Sequence, residues 1–118
     1  MDPGKYDLTG LRRGDSVPPA DLATLTYAQG GAPIALASAR LQIRDRREAL
    51  VHEWSTALGT LEIAGEGRNI VRRALTPGAI TQAWAPGGHV YDLEVVTASG
   101  ETWTVLEGSA PIAADCTR

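Results

Sequence analysis

The sequence predicts an all-β chain, an antiparallel sandwich or small barrel of about seven to nine short strands with one short helical turn near residues 77–84. Three observations predict it. The segments 38–44 and 89–97 alternate apolar and polar residues with the period of a half-buried strand. The 13 glycines and 7 prolines fall between short apolar runs and punctuate the chain as turns do. No stretch leaves room for the crossover helices of about a dozen residues that a parallel sheet requires.

Residues 1–20 read as a partly extended N-terminal arm. It holds one strand-like piece from Tyr6 to Leu11 and a charged turn at Arg12-Arg13-Gly14-Asp15. Pro18-Pro19 withdraws two backbone donors and confines that stretch to an edge or a linker. Asp21–Tyr27 is a strand with apolar residues on both faces, closed by the turn Gln29-Gly30-Gly31. In Ser38–Arg44, Ala39, Leu41 and Ile43 share one face, and Arg40, Gln42 and Arg44 share the other. Arg44-Asp45-Arg46-Arg47-Glu48, the densest charge cluster, reads as a solvated hairpin tip, with Arg46 and Arg47 as candidate partner contacts.

Leu50–Ser55 and Thr60–Ala64 are two further strands around a turn at Ala57-Leu58-Gly59. Asn69–Leu75 is a weaker strand. Ile70 and Arg72 lie on one side of it, and the Arg72-Arg73 pair blurs the pattern. Thr76 then suits a helix cap and Pro77 the first helical position, with Ile80 and Trp84 four apart on one face before Pro86-Gly87-Gly88 ends the turn. In His89–Thr97, Tyr91, Leu93, Val95 and Thr97 oppose Val90, Asp92, Glu94 and Val96. Ser99-Gly100 returns the chain into Glu101–Glu107, where Trp103 and Val105 share a face; this is the strongest hairpin signal. Ser109–Ala113 is a last, weaker strand. Without a linker, residues 1–118 form a single domain.

Composition narrows the function classes. The chain has 118 residues, 43% hydrophobic and 21% charged, enough apolar matter for a core and too little charge for general disorder. With three Trp, three Tyr and no Phe, that core must be mostly Leu, Ile, Val and Ala. A formal net charge of -3 argues against a nucleic-acid surface, which needs a basic field. No apolar run is long enough to span a membrane. Met1–Lys5 lacks the start of a signal peptide, which predicts folding where the chain is made. The single cysteine, Cys116, has no internal partner.

No motif carries chemistry. His52 and His89 lack neighbouring ligands at zinc spacing, and Asp45 with Glu48 is a weak calcium pair. Cys116 lies too near the end of the chain to be positioned against a base, and no serine sits in a nucleophile elbow. Asp92 and Glu94 pair carboxylates on one strand face, an arrangement that more often marks the solvated side of a sheet. Gly30-Gly31 and Gly65-Glu66-Gly67 do not open helices as phosphate loops do. Arg46, Arg47, Arg72 and Arg73 lack the aromatic platforms of a single-strand groove. The expectation is a non-enzyme without catalytic residue, metal, cofactor or small-molecule substrate. Trp84 is expected in the core and Tyr6 at a partner contact. A carbohydrate-binding module would instead expose rings from Trp54, Trp84 and Trp103.

Several segments occur in a familiar order: Tyr6-Asp7-Leu8, Arg12-Arg13-Gly14-Asp15, 37–44, 85–95, Leu106-Glu107-Gly108, then Ile112 and Asp115-Cys116-Thr117-Arg118. This order resembles small proteins of tailed bacteriophages and prophages, and is similar to the immunoglobulin-like N-terminal domain of phage baseplate upper proteins. The resemblance implies an immunoglobulin-like sandwich with Tyr91 and Asp92 as fold-defining positions; Trp84 and Trp103 are expected beside them as structural rings. It also implies a virion-associated tail or baseplate piece, made in the bacterial cytoplasm. Such a piece is held by other tail proteins or by copies of itself, with Tyr6, Arg12, Arg13, Arg46 and Arg47 as candidate contacts. It departs from the baseplate pattern in stopping after the sandwich. The alternative is a free-standing β-sandwich module that binds carbohydrate or protein.

Overall fold

In a computed structural model of the chain, residues 4, 5, 7–27 and 29–114 are described. The elements run β1 (Gly4–Lys5), β2 (Leu11–Arg12), β3 (Ala20–Thr24), β4 (Leu36–Arg44), β5 (Leu50–Ser55), β6 (Leu61–Ala64), β7 (Ile70–Arg73), α1 (Gly78–Thr81), β8 (Val90–Thr97), β9 (Thr102–Ser109) and β10 (Ile112–Ala113). They form an immunoglobulin-like sandwich whose two principal sheets are antiparallel apart from one edge strand. The first sheet has the order β1-β9-β8-β4-β5 and the second β3-β7-β6, while a small ribbon pairs β10 with β2.

The alternating segments become the centre of the larger sheet. Ala39, Leu41 and Ile43 of β4, and Tyr91, Leu93, Val95 and Thr97 of β8, turn inward and are buried. Leu41 stands opposite Leu93, and Ile43 opposite Tyr91. Their polar alternates form the outer face. The β8–β9 hairpin turns at Gly100, whose φ of 94° suits glycine. A bulge between Leu93 and Glu94 lets both Val105 and Leu106 approach the interior.

The smaller sheet is held over this face by Leu61 and Val71, both buried. In β7 the inward residues are Val71 and Arg73, while Ile70 and Arg72 stand on the other side. The blurred pattern there has a physical cause: a charged residue occupies a core position. After β5 the chain leaves the larger sheet for the smaller one through the Ala57-Leu58-Gly59 turn.

Two expectations for the helical turn need correction. Thr76 does not cap it; the N-cap is Pro77, without a side-chain bond. The Thr76 hydroxyl instead accepts the indole N–H of Trp54 at 2.7 Å within the core. Nor do Ile80 and Trp84 share a buried face, since Ile80 is exposed and Trp84 buried. Thr81 is the helical residue that faces inward. The stretch 7–20 is extended but lies against the sandwich. Leu8, Leu11 and Val17 are buried, and β1 and β2 pair in parallel with β9 and β10.

Candidate functional site

The residues singled out by the sequence fall into four places. At the first, the charged turn after β2 is fastened to α1. The Gly14 amide donates to the Thr81 hydroxyl at 2.9 Å, that hydroxyl donates to the Asp15 carbonyl at 2.8 Å, and Arg13 Nε donates to the Gln82 carbonyl at 2.9 Å. Arg12 donates to the Ala114 carbonyl and lies 3.8 Å from Asp15. These two arginines therefore spend hydrogen bonds on the chain's own fold.

At the second place, the β4–β5 tip, Asp45 Oδ1 accepts the amides of Arg47 and Ala49 and shapes the loop, leaving Arg46 and Arg47 exposed. The third is the outer face of the larger sheet. Asp92 is exposed there, opposite Gln42 on one side and Glu107 on the other. Glu94 is not a free carboxylate partner for it, because Arg40 binds Glu94 at 2.9 Å. Tyr91, one residue away, points into the core. Trp103 is partly buried and packs on the core. Tyr6 and Cys116 lie outside the described residues.

The fourth place is an interior aromatic group that periodicity alone does not reveal. His52 and Trp54, alternate residues of β5, meet Trp84. The His52 ring lies 4.5 Å from Trp54, edge-on, and 5.1 Å from Trp84, and the two indoles are 5.8 Å apart and edge-on. His52 Nε2 is buried without a hydrogen-bond partner among the described residues. Burial pushes the His52 imidazole below its ordinary pKa, and the neighbouring Glu53 carboxylate opposes that shift. On the Trp54 ring, 5.6 Å from its centroid, sits the guanidinium of Arg73, only 7% exposed. Its Nε and Nη2 both donate to the Pro18 carbonyl, at 3.3 and 2.9 Å. Neighbouring Arg72 is bound outside by Asp21 at 2.6 Å, whereas Arg73 has no ion pair among the described residues. Burial lowers the Arg73 pKa, but a guanidinium stays charged.

None of these places assembles a nucleophile with a base. Among the described residues no three His, Cys, Asp or Glu side chains converge on a metal position. No helix there is long and apolar enough to cross a membrane. Sequence reasoning missed His52 and Arg73. The signal for Arg73 was the alternation of Val71 with Arg73, obscured because Ile70 is as apolar as Val71.

No protein-family model matches the chain, and no curated protein does. Among solved structures, the crystal structure of CopC from Methylosinus trichosporium OB3b matches at 12% identity and a TM-score of 0.48, over 100% of this chain and 90% of that one. That likeness transfers no ligand and no activity.

Proposed function

We propose that this chain is a non-enzymatic structural domain of a phage or prophage tail or baseplate, acting through contacts with other particle proteins or with copies of itself. The observation that carries this reading is where the family-like segments fall. Arg12-Arg13-Gly14-Asp15 is the turn tied to α1, the segments 37–44 and 91–95 form the central strand pair, and Leu106-Glu107-Gly108 lies on the strand beside them. Residues that resemble the family thus serve as joints of a scaffold, as expected when a family preserves a shape for assembly rather than a reaction. Fold alone would not support a function.

The carbohydrate-binding alternative needs exposed rings beside polar groups on one face; Trp54 and Trp84 are buried at 0% and 2% exposure, Trp103 is partly buried, and Tyr27 is exposed. Light scattering of the purified chain, alone and mixed with phage tail and baseplate proteins, tests the proposal. The expected result is an oligomer or a defined hetero-complex, because virion parts work by repeated contact. A strict monomer that joins none of those proteins would overturn it.

A further inference from the structure

Between the two principal sheets, on the side covered by the N-terminal segment, the sandwich encloses a cleft of about 430 Å³. Leu8, Leu22, Leu41, Tyr91 and Leu106 give it apolar walls, and Arg73 lines it as well. Its rim reaches solvent at Thr9 and Asp21, both exposed. The volume lies within the range of small-ligand pockets, which pair apolar walls with a few fixed polar groups.

Arg73 is the buried charged group of the lining, and no carboxylate among the described residues pairs with it. A guanidinium has five N–H donors, and the Pro18 carbonyl engages only one edge of this one. A buried charge is ordinarily paired, since it loses its hydration on leaving water. Arg72, one residue away, has carboxylate partners in Asp21 and Glu62. Asp21 shares the cleft rim, but its Oδ1 accepts from Arg72 Nε at 2.6 Å, so that its charge is already matched.

We propose that this cleft binds a small apolar monocarboxylate, an aliphatic acid whose chain lies among the leucines and whose carboxylate pairs with the Arg73 guanidinium. Planar fork geometry suits a carboxylate, and an apolar body suits the walls. The inference stands independently of the assembly role, since it rests on the cleft and its one guanidinium.

The test is an NMR titration of the full chain with decanoate, compared with decanol and decylamine. It follows the Arg73 Nε–H resonance and the methyls of Leu22, Leu41 and Leu106. Decanoate should shift them saturably, and decanol and decylamine should bind about tenfold or more weakly, the size of one charge-assisted hydrogen bond. Arg73→Met should weaken decanoate by the same factor and leave decanol unchanged. Leu22→Trp, which narrows the mouth while keeping Arg73, should weaken both and guards against a folding defect in the first variant. Absence of saturable shifts, equal binding of decanol, or full decanoate affinity in Arg73→Met would each overturn the proposal.

Discussion

His52 shows how a single side chain ties the interior to pH. Its Nε2 is buried without a partner among the described residues, and its ring is wedged against Trp54 and Trp84. Desolvation disfavours the imidazolium, Glu53 favours it, and the desolvation is larger, so that the folded pKa falls below the ordinary value of 6.5. The Arg73 guanidinium over the Trp54 indole adds no attraction for a second cation. The unfolded chain then binds the proton more readily than the folded one, and stability rises with pH through that window. This contribution is fully present above 6.5 and is lost as pH falls through the lowered folded value. Urea denaturation at pH 7.5 and 5.5 should therefore show a larger acid loss in the wild type than in His52→Leu. The remaining side chains are common to both chains and cancel in the comparison. An identical acid loss in the two would show that His52 does not sense pH in the folded state.

At the scale of elements, α1 is a single turn that cannot stand on its own hydrogen bonds. It is held by the turn after β2, and the approach is close: a Cβ on Gly78 would lie 2.4 Å from the Gly14 carbonyl oxygen. Gly78→Ala would gain helix propensity of about 1 kcal/mol, but backbone cannot yield to the clash as a flexible side chain would. The variant should lose about 1–3 kcal/mol, in the range of overpacking, measured as a shift in the denaturation midpoint at constant m. A gain in stability would mean that helix and turn are not in firm contact. Nothing local in the sequence marks Gly78 as a contact glycine, because its neighbour is 64 residues earlier in the chain. The contrast with β4 and β8 is instructive. Their period-two patterns are local, so their inward residues, from Ala39 to Ile43 and from Tyr91 to Thr97, are readable directly. Two-residue strands such as β1, β2 and β10 carry no period at all, and their parallel pairings depend on where distant segments arrive. Thr76 looked like a cap by position and became a partner of Trp54 by packing. Arg73 and His52 escaped for the same reason, since only tertiary structure buries a guanidinium or one ring nitrogen on a strand.

For the molecule as a whole, the segments 8–13 and 109–113 close the sandwich together. Leu8 donates its amide to the Ser109 carbonyl, Arg13 to Ala113, and Gly87 and Ile112 exchange amide bonds, all between 2.8 and 3.0 Å. Ile112 is 3% exposed and packs with Leu11 in the shared core. The closure thus joins residues from the first, last and α1–β8 segments and depends on few apolar side chains. Such a unit opens more readily than the central β4–β8 pair. Ile112→Ala should cost about 2–5 kcal/mol, the range for truncating a buried aliphatic, by chemical denaturation. Hydrogen exchange should then show protection falling most at the amides of Arg13 and Gly87, whose acceptors belong to the Ile112 strand, and less at Leu41 and Leu93. Equal loss at all four amides would mean that these segments and the central sheet open only together, and that the closure is not a separate cooperative unit.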